Sequence, residues 1–257
     1  FPLALPPAGS TIATKAANLT LYSGLQIDSG SITSTGGTLS FSGGLTLGAD
    51  GTLDVAGSTL SVRQTLDLSS GTFSSDNSSL DLQAATTLSS SNAVSFGSLN
   101  LNGKVLTLGS ATTQLNLSDA NTALSLSGIT LDTGAGSLTL SGALSMSNLA
   151  KLNSSGGTIT LNSGGSLASG STLSLPDTTL VLQNALSLTA ATLKTKNTTF
   201  TTNSNALTLS GSSILEVEGV QNLSGIGPDN STTLRLTANT TLNDSAALSI
   251  GTLDLAN

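Results

Sequence analysis

The chain contains no cysteine, no histidine and no tryptophan among its 257 residues. Without thiols or imidazoles, disulfides, cysteine nucleophiles, histidine-based acid–base catalysis and the usual zinc ligand sets are excluded. Charged residues make up 8%, against roughly 25% in ordinary domains. The seven cations, Lys15, Arg63, Lys104, Lys151, Lys194, Lys196 and Arg235, are scattered, and the net charge is −7. No basic patch faces a phosphate backbone, so nucleic acid is not an expected partner. No apolar run approaches the roughly 20 residues of a spanning helix, and no membrane span is expected. Aromatic residues are 2%, which removes the usual stacking platforms for bases or sugars.

Ser, Thr, Asn and Gly supply the polarity instead, and they punctuate a repeat. The recurring unit is an apolar–polar–apolar triplet, as in Leu45-Thr46-Leu47, Leu53-Asp54-Val55, Leu60-Ser61-Val62 and Leu66-Asp67-Leu68. Alternation with a period of two gives a short strand with one face buried and one wet. Gly and Asn between the triplets, including the pairs Gly36-Gly37 and Gly156-Gly157, suit tight corners. Every third triplet falls into one column. Column one runs from Leu25, Leu45, Leu66, Leu88, Leu106 and Ile129 to Leu152, Leu173, Leu193, Leu215 and Leu242. Column two runs from Ile32, Leu53 and Phe73 through Ile159, Leu180 and Phe200 to Leu223 and Leu248. Column three runs from Leu39, Leu60 and Leu80 through Leu144, Leu167, Leu186 and Leu207 to Leu234 and Leu253.

The ten column-one steps average 21.7 residues (217 residues from Leu25 to Leu242, divided by ten). This pattern predicts an all-β fold, a right-handed parallel β-solenoid with three short strands per coil, 21–22 residues per coil and about 12 coils. One coil cannot bury its own apolar ladder, whereas stacked coils can. Residues 1–24 are read as a Pro-containing segment and first coil, and residues 25–257 as the solenoid proper. One step of 27 residues contains Gly225-Ile226-Gly227-Pro228-Asp229-Asn230, so a corner loop is expected near 225–231.

The stretch Ser154-Ser155-Gly156-Gly157-Thr158-Ile159-Thr160-Leu161-Asn162-Ser163-Gly164-Gly165-Ser166-Leu167 resembles the parallel β-helices of bacterial cell-surface proteins. Autotransporter passengers and filamentous-haemagglutinin-type adhesins are similar in style over Leu25–Asn257. The resemblance implies a secreted or cell-surface location, with surface or matrix glycans among the partners to consider.

The outward residues show no catalytic constellation. Acids stand singly among hydroxyls. Lys194 and Glu216 fall on adjacent coils and are expected to form an exposed ion pair. Glu216 and Glu218 flank Val217 on one strand face. Paired carboxylates can do acid–base work, but without an aromatic platform or a walled cleft a solvated face is the expectation. Catalytic, cofactor-binding and metal-binding residues are all expected to be absent, and the chain is read as a non-enzyme. An ice- or polysaccharide-binding solenoid is a third reading, and its threonine array for ice is weakened by Asp54 and Val181 in column two.

The ends carry the functional expectation. Leu3-Ala4-Leu5, Ile12-Ala13-Thr14 and Leu19-Thr20-Leu21 extend columns one, two and three upward, and Leu253-Asp254-Leu255 is assigned to column three. On that assignment the chain holds a whole number of coils with uncapped ends. Copies would then stack head to tail into an extracellular fibre or surface layer. Leu3, Leu5, Ile12, Leu19, Leu242, Leu248, Leu253 and Leu255 form the expected assembly interface. Pro2, Pro6 and Pro7 remove backbone donors and would either blunt the first edge or hold an extended segment that docks onto a neighbouring copy. The alternative is a fragment or stalk of a cell-surface adhesin, with further coils beyond Asn257.

Overall fold

The structure, a computed structural model, describes residues 3–4, 9–110, 112–168, 170–203, 206–243 and 248–256. Among them there is no helix, and the paired strands run parallel, stacked as a β-solenoid of about 11 turns. The chain forms two compact units, residues 1–122 and 123–257.

In the first unit each column of leucines is a hydrogen-bonded ladder. Column one pairs Leu3, Leu25, Leu45, Leu66 and Leu88 in register. Column two pairs Ile12, Ile32, Leu53 and Phe73. Column three pairs Leu19, Leu39, Leu60, Leu80 and Leu99. Leu3, Ile12 and Leu19 therefore take the columns that the sequence assigns them. Strands as short as three residues hold because each both donates to and accepts from its neighbouring coils, as Leu25 N–H donates to the Gly44 carbonyl of the next coil and Ser31 N–H to the Ser10 carbonyl of the previous one, leaving few backbone groups unpaired. Leu39, Leu45, Leu53, Leu60, Leu66 and Leu80 are fully buried.

The second unit repeats this arrangement with a different register. Column one is Leu131, Leu152, Leu173, Leu193, Leu215, Leu234 and Leu253. Column two is Leu138, Ile159, Leu180 and Phe200. Column three is Leu124, Leu144, Gly165, Leu186, Leu207 and Ile226.

Several assignments are corrected here. Leu88 lies opposite Leu108, and Leu106 opposite Thr86. Leu131, not Ile129, pairs with Leu152 in column one. Gly165 takes the place expected of Leu167, which pairs with Met146 and Leu188 instead. Each of these is a slip of two residues. Because side chains at i and i+2 share a face, such a slip keeps the apolar side inward. The largest correction concerns residues 225–231. Ile226–Pro228 is a strand, not a protruding loop, and it pairs with Leu207–Ser210 with Ile226 and Pro228 buried. Gly and Pro suggest a turn, but Pro is tolerated in a strand at the margin of a sheet, where its missing N–H breaks no ladder bond. With Ile226 in column three, Leu234 and Leu253 move to column one, Leu242 faces Gln221, and the last described strand, Thr252–Leu255, lies in column one. The expected whole number of coils is not met.

Corners are closed by buried hydroxyls. Ser34 Oγ donates to the Gly36 carbonyl at 2.7 Å, and the Gly36 N–H donates to Ser58 Oγ at 2.9 Å. The second unit uses the same device: Ser154 Oγ donates to the Gly156 carbonyl at 2.7 Å, and the Gly156 N–H to Thr178 Oγ1 at 3.3 Å. The following residues, Gly37 and Gly157, adopt φ of +74° and +68°, and a Cβ on Gly157 would come within 2.3 Å of the Gly136 carbonyl oxygen. Only glycine fits there.

Candidate functional site

The expected assembly residues divide between the outermost coils of the two units. On the N-terminal coil, Leu3 pairs through its backbone with Leu25, Ile12 is 36% exposed, and Leu19 is half-buried. Leu5 lies outside the described residues. On the C-terminal side, Leu253 and Leu255 are 54% and 64% exposed, while Leu234, one rung inward in the same column, is 3% exposed. Leu242 and Leu248 are half-buried, and Leu248 is not in a strand. Leu242, Leu248 and Leu253 thus do not end columns one, two and three as expected. Leu253 ends column one, and Leu242 sits opposite the fully buried Gln221 on the second arm of the bent strand Thr233–Leu242. Gln221 stands where an apolar residue would otherwise point inward. Its Oε1 accepts from the Thr198 N–H at 2.9 Å, and its Nε2 donates to the carbonyls of Thr198 and Asn222.

Beside this edge runs a ladder of alternating charge. The outward column-one row reads Asn153, Ser174, Lys194, Glu216, Arg235 and Asp254 on successive coils. Lys194 Nζ lies 2.9 Å from Glu216 Oε1, Arg235 Nη1 3.7 Å from Glu216 Oε2, and Arg235 Nε 2.7 Å from Asp254 Oδ2. A parallel rung pairs Lys196 with Glu218 at 2.6 Å. The Lys194–Glu216 pair is as expected from sequence. Arg235 and Asp254 could not be seen to join it while they were assigned to column three. Both glutamates of the chain and three of its seven cations stand in these two rungs. Hydrogen bonding to Glu218, and then its charge, raise the Lys196 ammonium above the ordinary lysine value. Hydrogen bonding to Asp254, then its charge and that of Glu216, raise the Arg235 guanidinium likewise. Both carboxylates of the Glu216–Glu218 pair are engaged by cations, so the arrangement is a set of ion pairs rather than a carboxylate dyad awaiting a substrate.

The other outer faces carry hydroxyls. In column two of the second unit, Thr139, Thr160, Val181 and Thr201 align, so Val181 interrupts the threonine row. On column three of the first unit a groove of about 580 Å³ is lined by Tyr22, Phe41, Arg63, Asp81 and Gln83 together with Ser and Thr side chains. Sequence reading missed it. The signal was available, because Tyr22, Ser42, Arg63 and Gln83 each follow a column-three triplet by one residue. Among the described residues no helix is long and apolar enough to cross a membrane. No family model, no curated protein and no solved structure matches the chain.

Proposed function

We propose that the protein is a secreted structural subunit that adds to copies of itself end to end by parallel strand pairing, building an extracellular fibre or surface layer. The observation that carries this reading is the outer edge of Thr252–Leu255. Leu253 stands 54% exposed in a column whose other described members from Leu131 to Leu234 are at most 3% exposed, and Leu255, opposite the half-buried Leu236, is 64% exposed. A strand added there would bury that apolar area at roughly 25 cal/mol per Å² and pair an open row of backbone groups. In the proposed contact the edge of Thr252–Leu255 in one copy meets the Leu3–Ala4 strand of the next, which pairs on its other side with Leu25–Ser34. The contact rests on apolar burial and backbone pairing, so it resists salt.

A stalk within a longer surface adhesin is the second reading, and the charge ladder favours it. The rung after Asp254 calls for a cation, whereas the first column-one strand offers Ala4 at that register position. Sedimentation velocity across a concentration series separates the two. End-to-end assembly predicts species that grow with concentration, are unmoved by added salt, and are lost in Leu255→Lys. A chain that stays monomeric at high concentration, or a Leu255→Lys variant that assembles equally well, removes self-assembly and leaves the stalk.

A further inference from the structure

The column-three groove of the first unit has the composition of a ligand site, and it starts on the N-terminal coil at Thr20 and Tyr22 and runs inward to Asp81 and Gln83. Its outer row is set by register. Leu21, Phe41, Val62 and Leu82 point inward on successive coils, so the next residues, Tyr22, Ser42, Arg63 and Gln83, share the outer face. The backbone continues the ladder there: the Ser42 N–H donates to the Leu21 carbonyl at 2.9 Å and the Gln83 N–H to the Val62 carbonyl at 2.7 Å. Tyr22, the single tyrosine of the chain, is 87% exposed. Arg63 is exposed and has no ion-pair partner among the described residues. The one acid in the groove, Asp81, is already occupied. Its Oδ1 accepts from Asn102 Nδ2 at 2.7 Å and Asn100 Nδ2 at 2.9 Å, and its Oδ2 accepts from Gln83 Nε2 and from Ser61 Oγ at 3.4 Å. Those bonds hold the Gln83 amide with its oxygen free to accept.

We propose that this groove binds an acidic oligosaccharide lying along the solenoid axis, with a sugar ring on the face of Tyr22 and a carboxylate in the guanidinium fork of Arg63. Tyr22 and Arg63 are two coils apart, about 9–10 Å at the usual strand spacing, which suits a ring and the carboxylate of a neighbouring sugar. Thr38 and Thr59, and Ser40 and Ser61, repeat hydroxyl donors and acceptors one coil apart, about 4.7–4.9 Å, a match for a polyol. A planar fork with bidentate geometry recognises a carboxylate, and a tyrosine ring offers an apolar face with a polar tip. A peptide captured as an added strand would lie along the edge of Leu19–Leu21, whereas Arg63 and Gln83 stand on the face of inner coils, out of its reach.

Tyr22 makes the test direct. With one tyrosine and no tryptophan, tyrosine fluorescence reports this ring alone. Titration with an oligogalacturonate is expected to give a saturable change that weakens with salt, and a neutral galactan oligosaccharide of equal length is expected to bind about tenfold or more weakly. Arg63→Gln should weaken oligogalacturonate binding by a similar factor with unchanged thermal stability. Tyr22→Ala, followed by calorimetry, should do likewise. No saturable change at millimolar sugar, equal binding of the neutral oligosaccharide, or full affinity in Arg63→Gln overturns the proposal. Displacement of the sugar by an acidic peptide at equal affinity would reassign the groove to peptides.

Discussion

The column-one strands of the two units have the same inside and different outsides. Inward, Leu25, Leu45 and Leu66 in the first unit correspond to Leu173, Leu193 and Leu215 in the second, all buried. Outward, the first unit presents Gln26, Thr46, Asp67 and Ser89, whereas the second presents Lys194, Glu216, Arg235 and Asp254 in alternating sign. The stack is indifferent to what stands outside it, so the residues that specify the coil and those that could specify a partner are separate sets. The charged set also contributes to register. A two-residue slip of Thr233–Leu242 would still lay leucine against an apolar residue, but it would put Thr233 or Thr237 opposite Glu216 in place of Arg235. Ion pairs are best attested as devices of register, and they occur here where the core pattern is weakest, beside Gln221.

The sharpest break of this comparison uses adjacent residues of one strand. Leu180 is fully buried between Ile159 and Phe200, and Val181 is its outward neighbour. Leu180→Asp buries an unpaired carboxylate and is expected to cost several kcal/mol, enough to abolish a cooperative melt at ordinary temperature. Val181→Asp should change stability by no more than about 0.5 kcal/mol. Equal melting temperatures for the two variants would show that inside and outside are wrongly assigned in this strand.

What the sequence made legible follows the same division. The triplets and the column-three spacing of Leu39, Leu60 and Leu80 declared the solenoid, because a period of two inside a period near 21 has few other physical solutions. The register was less legible. A triplet carries two apolar residues, so Leu106 or Leu108, and Ile129 or Leu131, satisfy the same pattern. Beyond Phe200 the pattern fails for identifiable reasons. Gln221 replaces an apolar residue in the core, with its amide satisfied by Thr198 and Asn222. Ile226-Gly227-Pro228 reads as a turn by residue chemistry although it pairs as a strand. Once that triplet is skipped, Arg235 and Asp254 fall into the wrong column and the charge ladder disappears from view. The Tyr22 groove was hidden differently. Its row lies one residue past each triplet, on positions that the apolar alternation leaves unmarked.

A smaller effect tests the charged face against the neutral one. Glu216→Lys removes two attractive contacts and sets three cations on consecutive rungs. These side chains are 21–45% exposed, so screening keeps the loss to about 1 kcal/mol. Thr46→Lys, on the matching face of the first unit, should stay within about 0.5 kcal/mol. Thermal melts at low and high salt decide the matter, since only the Glu216→Lys loss should shrink as salt is added. A salt-independent loss would mean that Glu216 acts through packing rather than charge.

The smallest effect concerns a feature that the units share. Asp119 in the first unit and Asp229 in the second each close a turn with the carboxylate. Thr122 Oγ1 donates to Asp119 Oδ2, and the Asn121 N–H donates to Oδ1 at 2.9 Å. Ser231 donates to Asp229 Oδ1 through Oγ at 2.6 Å and through N–H at 2.8 Å. The hydroxyl bond from Thr122 chiefly holds the Asp119 carboxyl below its ordinary value, and that from Ser231 does the same for Asp229. A carboxyl whose folded value is depressed binds its proton more readily in the unfolded chain. Its contribution is therefore fully present above the ordinary aspartate value near 3.8 and is lost as pH falls through the lower folded value. With no histidine in the chain, the melting temperature should be level through the neutral range and decline only below about pH 4. Asp229→Asn keeps an acceptor oxygen but has no charge to lose. It should melt slightly lower than the parent at neutral pH and show a shallower acid decline, and Asp119→Asn should behave the same way. If either variant retains the full acid slope, the corresponding turn carboxylate does not contribute to it, and the acid sensitivity must be sought in the remaining aspartates of the outer faces.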